Sequence, residues 1–346
     1  MHKTLDLPMV SPLPLMQLSI GFWSFKTLAA ANELDLFARL SGTDGRTVDE
    51  LAEMLGVDRR PAEMLLTACA SIGLLERRDG RYVNSELAEE FLVPGKAHHF
   101  GGWVQMLDRR LYPAWGRLTD AVRTNRPTSW NPDEQEHLFD SEDPALLAYF
   151  WEAMHSLSTL TARELGVHID LSDSTALLDI GGGSGAYDIE LCRRYPNLRA
   201  TVFDLPPVCE IAARKLEAAG YSDRVAVAPG DFLADNELPA GHDVVLLSMI
   251  MHDWSPEQDL AILRKCFAAL PSGGRIVISE LLVDDEKTGP PAATLMSLNM
   301  LVETVGGRNY TAAEYEQWLH ATGFVDVRTV TFEAPGANGA VIARKP

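Results

Sequence analysis

The chain has 346 residues and a formal net charge of −19, and so acidic a surface repels nucleic-acid phosphates and anionic membranes. With 46% hydrophobic and 23% charged residues, it is an ordinary globular sequence, long enough for two domains. Its four cysteines (Cys69, Cys192, Cys209, Cys266) are scattered and form no C-x-x-C pair; they read as reduced core thiols of a cytoplasmic protein. The first residues hold no long apolar run, so no signal peptide is expected, and no stretch approaches a membrane span.

Residues 14–40 predict helix, with Phe22, Leu28, Ala29, Leu36 and Phe37 on apolar faces. Thr47-Val48-Asp49-Glu50 is a capping box, followed by Val48, Leu51, Ala52 and Leu55 at helical spacing. Gly56 ends that helix and Asp58 is placed to cap the next, which carries Leu65, Leu66, Cys69 and Ile72. Asp79-Gly80, between Leu74-Leu75 and Tyr82-Val83, marks a hairpin turn. Helix, turn, helix and hairpin predict a winged helix over residues 1–100. Residues 101–165 predict a helical connector rich in large side chains, among them Trp103, Met106, Trp115, Phe150, Trp151 and Met154, and interrupted around Pro127 and Pro132.

From 166 to 346 the pattern changes. Strands are expected at 176–180, 200–204, 225–229, 243–248 and 275–280, with helices near 186–195, 206–219 and 257–270 between them. That alternation predicts an α/β, Rossmann-like parallel sheet covered on both faces. After helices near 292–304 and 312–322, the runs 326–332 and 339–344 flank Gly336-Ala337-Asn338-Gly339. They predict a terminal hairpin whose last strand runs antiparallel to its neighbour.

The chemistry gathers where those strands end. Leu177-Leu178-Asp179-Ile180 leads into Gly181-Gly182-Gly183-Ser184-Gly185-Ala186, and the next strand ends in Asp204. A glycine turn with an acid on the following strand is the layout of a nucleotide site, the acid holding ribose hydroxyls. Gly181, Gly183 and Ala186 fit the dinucleotide pattern; Gly181, Gly183 and Gly185 fit equally the turn that binds S-adenosylmethionine (SAM). The fourth strand runs through Ser248 into His252-Asp253-Trp254, and the fifth ends in Glu280. A neutral imidazole suits proton removal near pH 7, and a carboxylate on its other nitrogen fixes the tautomer.

Taken together, these features resemble the SAM-dependent O-methyltransferases that include the plant caffeate and acetylserotonin enzymes and bacterial natural-product tailoring enzymes. The resemblance covers nearly the whole chain. It rests on the winged N-terminal domain, Asp179–Gly185, Phe203-Asp204-Leu205-Pro206, Gly230-Asp231-Phe232, His252-Asp253-Trp254, Leu270-Pro271-x-Gly273-Gly274 and Glu280. It implies that Asp179, Gly181, Gly183 and Gly185 line the methionine part of SAM, that Asp204 and Leu205 lie at the ribose, and that Asp231, Phe232, Ser248 and Trp254 border the cofactor. Phe150, Met154 and Ser158 match a helix that covers it. His252 is the implied base, with Glu280 and Asn309 as catalytic partners. Trp103, Met106, Trp115, Trp151, Asp253, Met296, Asn299 and Met300 suggest a flat, largely apolar aromatic acceptor. The resemblance also implies a homodimer through the N-terminal domain.

One departure stands out. Gly306-Gly307-Arg308-Asn309-Tyr310-Thr311 carries Asn309 where many relatives place a second glutamate, and Asn309 can hydrogen-bond to the histidine without bringing charge; Glu303 is the alternative acid nearby. Methylation at nitrogen or carbon, or a tailoring reaction other than methylation, stays open. The winged helix as a DNA binder, a nicotinamide enzyme and a metal site at His252, Asp253 and Glu280 are the rival readings. The net charge disfavours the first, the terminal hairpin the second, and the adjacency of His252 and Asp253 the third, so neither nucleic acid nor metal is expected.

Overall fold

The computed structural model describes residues 10–96, 98–134 and 144–346. The chain divides after Asp108 into two units. In the first, the predicted long helix is three: Leu13–Ser19, Gly21–Glu33 and Leu36–Leu40. The second break falls at Asp35, whose φ of 56° is left-handed and cannot continue a helix. Thr47 and Glu50 cap Val48–Leu55 reciprocally, each side chain accepting the other's backbone N–H. Asp58 stands at the N-cap of Arg59–Ser71 but makes no capping hydrogen bond through its side chain. Strands β1 (Leu75–Arg78) and β2 (Arg81–Asn84) pair antiparallel around Asp79-Gly80, both with positive φ. Leu36, Phe37, Leu51, Leu66 and Tyr82 fill the core. Arg59 pairs with Asp49 and Glu63, Arg78 with Glu76 and Arg81 with Glu50. Arginines so neutralised are poorly placed to grip a phosphate backbone.

The second unit holds a seven-stranded sheet. Its strands are β3 (Ala176–Ile180), β4 (Arg199–Asp204), β5 (Val225–Pro229), β6 (Val244–Ser248), β7 (Arg275–Glu280), β8 (Val325–Thr331) and β9 (Gly339–Arg344), in the order β5-β4-β3-β6-β7-β9-β8. The first five run parallel; β9 lies antiparallel to β7, and β8 to β9, as the terminal hairpin requires. Continuous apolar runs such as Val244–Leu247 are buried on both faces, which is why they do not alternate. Order reverses between β3 and β6, so the crevice beyond their carboxyl ends is the expected ligand site. The loops after β3, β4, β6 and β7 all open there.

Candidate active site

The loop after β3 turns on Gly181, Gly183 and Gly185, all left-handed with φ of 67°, 58° and 74°. Gly181 also has no room for a side chain: a Cβ would lie 2.4 Å from Ile250 Cδ1. Gly185 is the N-cap of Ala186–Arg194, so the loop delivers a helix N-terminus to the crevice. Asp204 braces the loop. Its Oδ2 accepts the Gly183 N–H at 2.9 Å and its Oδ1 the Leu205 N–H at 2.7 Å. Burial raises the Asp204 carboxyl, and these two donors counter that.

Asp179 lies beneath the loop, buried, with neither carboxylate oxygen hydrogen-bonded among the described residues. Burial and the neighbouring Asp188 hold its carboxyl well above the usual range. Asp188, in the first turn of the following helix, was not marked by the motif.

Beyond β5, Asp231 Oδ1 accepts the backbone N–H groups of Leu233 and Ala234. Lys265 donates to the carbonyls of Phe232, Leu233 and Asp235, pinning that turn from the helix Pro256–Ala269. Phe232 stands edge-on to Trp254, ring centroids 5.9 Å apart. Ser248 ends β6, its Oγ buried without a hydrogen-bond partner among the described residues, and Met249 follows with a strained φ of 55°.

The helix Pro144–His168 carries Phe150, Met154 and Ser158 half-buried at i, i+4 spacing. The side chains that meet the glycine loop come one position later. A Cβ on Gly183 would approach Trp151 to 3.1 Å, and His155 Nδ1 lies 2.8 Å from Ser184 Oγ. Burial pushes the His155 imidazole down to about 4, so it is neutral at pH 7. No motif had marked it.

His252 and Glu280 meet across β6 and β7. His252 is 4% exposed and Glu280 1%. Glu280 Oε1 accepts the backbone N–H groups of Ile250 and Met251 at 3.0 and 3.1 Å, while Oε2 lies 2.6 Å from His252 Nδ1. Asp253 Oδ1 lies 3.6 Å from Nε2. Burial alone would lower the imidazole pKa, but Glu280, Asp253 and the Glu280 hydrogen bond outweigh it and carry it up to about 9. Asn309 does not join them: its Nδ2 donates to the Leu281 carbonyl at 2.8 Å, and its Oδ1 finds no hydrogen bond among the described residues.

Glu303 closes the helix Pro291–Glu303, which also carries Met296, Asn299 and Met300. Burial raises its carboxyl against the pull of Arg110, Asn299 and His252. Asn299 joins two expected residues, its Oδ1 accepting from Trp115 Nε1 at 2.8 Å and its Nδ2 donating to Glu303 Oε2 at 3.0 Å. Met300 is buried; Met296 is half-buried against Leu281, Val283 and Ala293. Trp103 and Met106 lie in the first unit, on the helix Gly101–Met106. Among the described residues, no group of three or more His, Cys, Asp and Glu side chains is arranged to hold a metal ion.

The model of the O-methyltransferase domain matches residues 115–325, and that of the O-methyltransferase dimerisation domain residues 16–94. The chain belongs to the O-methyltransferase family. It is 52% identical over 96% of its length, and 95% of the relative's, to the 3-hydroxy-5-methyl-1-naphthoate 3-O-methyltransferase of Streptomyces sahachiroi. The human N-acetylserotonin methyltransferase in complex with SAM superposes with a TM-score of 0.87 at 29% identity, covering 100% of this chain and 99% of that one. PigF with S-adenosylhomocysteine (SAH) superposes with a TM-score of 0.84 at 31% identity, covering 97% and 100%.

This O-methyltransferase uses SAM, and its crevice suits that cofactor. The glycine loop brings its backbone to the crevice, and the Ser248 Oγ, without a hydrogen-bond partner among the described residues, offers a polar contact. Asp204 retains lone pairs beyond the two it uses on the backbone.

Proposed function

We propose that this O-methyltransferase methylates a phenolic hydroxyl of a fused aromatic acid of the hydroxynaphthoate type, with His252 as general base. The 52% identical naphthoate enzyme supports the acceptor class. The observation that carries the mechanism is the 2.6 Å contact between His252 Nδ1 and Glu280 Oε2. It leaves Nε2 as the nitrogen free to take a proton.

When bound, SAM supplies a methyl group already activated on a sulfonium, so the protein's work is positioning and deprotonation. Gly181, Gly183, Gly185 and Asp179 would line its methionine part and Asp204 and Leu205 its ribose. Asp231, Phe232, Ser248 and Trp254 would frame the rest, under the helix bearing Phe150, Met154 and Ser158. The phenol proton goes to His252 Nε2, and Glu280 steadies the imidazolium that forms. A phenol has a pKa of about 10, close to the value of about 9 for His252. Proton transfer from the phenol to the neutral imidazole costs about 1.4 kcal/mol; a pKa of about 9 keeps most His252 protonated at pH 7, so turnover should rise with pH toward 9. Trp115, Trp151, Asn299, Met296 and Met300 supply apolar and amide contacts to a flat ring; Asp253 is a further candidate.

The dimerisation domain fits a homodimer. Leu13, Leu15, Met16, Leu18, Phe22 and Trp23 are exposed on the first two helices, a face that a second copy would cover. Light scattering after size exclusion should give twice the chain mass.

Purified protein, SAM and 3-hydroxy-1-naphthoic acid should yield the methyl ether and SAH by mass spectrometry. His252→Ala should lose most turnover, roughly 10²–10⁴-fold, while SAH affinity stays within threefold. Unchanged turnover removes His252 from the mechanism, and no ether from any hydroxyarene removes the acceptor class.

A further inference from the structure

Arg110 poses a problem that the methyl transfer does not solve. It sits in the wide π turn Leu107–Leu111, just before Pro113. Proline cannot donate to the carbonyl four residues back and its ring crowds that carbonyl, so the turn before it opens. The Arg110 side chain is 16% exposed, and its guanidinium lies 5.6 Å from the Phe150 ring centroid. Glu303 Oε1 is 3.0 Å from Nη2 as an ion pair, yet Oε1 makes no hydrogen bond among the described residues. Glu303's other oxygen is taken by Asn299. Among the described residues, then, nothing accepts a hydrogen bond from a guanidinium that has five N–H groups in a planar fork. The fork's nitrogens are not sealed from solvent, so something small can reach them.

Its surroundings say what that is. The helix Pro291–Glu303 packs against the turn Met251–Asp253, and Glu303 interacts electrostatically with both His252 and Asp253. Asp253, Glu280 and Glu303 make that neighbourhood acidic. An aromatic carboxylate would be repelled there unless a cation received it. A planar fork over an aromatic face matches a planar carboxylate on a ring, two N–H groups to two oxygens.

We infer that Arg110 receives the acceptor's own carboxylate, making the enzyme selective for hydroxyaryl acids over the same phenols without the acid. This inference rests on the hydroxyaryl reading above and adds its charge requirement. Asn299 and Trp115 hold Glu303, and Glu303 holds Arg110 in place while it waits.

The test compares kcat/KM for 3-hydroxy-1-naphthoate and 2-naphthol, which share ring and hydroxyl and differ by the carboxylate. Wild type should favour the acid by about 10- to 100-fold, as for a charge-assisted pair. Arg110→Gln should bring the preference within about threefold, chiefly through KM for the acid. Arg110→Lys should retain part of it. Because removing Arg110 strands a buried Glu303, the double variant Arg110→Gln/Glu303→Gln is measured as well, and its ratio should collapse equally. Each ratio is taken within one variant, so a partial loss of folded enzyme cancels. A wild-type preference that persists in both variants overturns the assignment, as does a wild type indifferent to the carboxylate. If wild type methylates neither compound nor any other hydroxyarene, the acceptor class itself fails, a result distinct from a preference that survives loss of Arg110.

Discussion

Glu280→Gln is nearly isosteric, and its effect follows from which oxygen does what. Oε1 accepts two backbone N–H groups, from Ile250 and Met251. An NH₂ there would face two donors, so the glutamine must keep its oxygen on that side. Its NH₂ then faces His252 Nδ1, where the carboxylate Oε2 had accepted. Nδ1 becomes the acceptor, and the ring proton moves to Nε2, the atom that has to take the phenol proton. The base is lost through its tautomer while the fold is untouched. Losing the carboxylate also removes the main force that carries the imidazole to about 9 against burial. A charge-assisted hydrogen bond of about 1.5–3 kcal/mol accounts for roughly 10- to 150-fold, and the wrong tautomer should extend the fall in kcat to about 10³-fold, by analogy with the serine-protease triad. Single-turnover methylation reads the chemical step, and SAH calorimetry should show affinity within threefold of wild type. A kcat within tenfold of wild type would refute both the tautomer argument and the role of Glu280.

Stability should carry the signature of the same pair. The folded His252 pKa of about 9 lies above the usual 6.5, so its contribution is complete below pH 6.5 and is lost as pH rises through 9. Relative to His252→Gln, wild type should lose about 3 kcal/mol over that window in urea titrations; parallel curves would rule this out. Asp204→Asn places an amide NH₂ against the Gly183 or Leu205 N–H, and SAH calorimetry should show about 10- to 100-fold weaker binding; a change under twofold would contradict that role. Gly307→Ala would set a Cβ 2.3 Å from the His252 carbonyl oxygen and 2.7 Å from the Asp253 carbonyl carbon, backbone that cannot swing aside. It should cost about 1–3 kcal/mol and lower kcat; a wild-type denaturation midpoint with wild-type kcat would show that the segment yields.

Local chemistry decided much of this protein in advance. Glycines at 181, 183 and 185, acids at strand ends 204 and 280, a histidine just beyond strand 244–248 and the 336–339 turn each state their geometry in a few residues. So they fixed the sheet, the antiparallel ending and the pairing of His252 with Glu280. What the chain could not announce were contacts between segments far apart in sequence. Trp151 and His155, rather than their neighbours Phe150 and Met154, meet the glycine loop because helix rotation is set by packing. Lys265 pins a turn thirty to thirty-three residues before it, and Asn309 turns to the Leu281 carbonyl instead of the histidine. Arg110 reaches Glu303 across 193 residues of chain. A motif records what one strand end must be; only tertiary packing decides which distant side chain fills the space beside it.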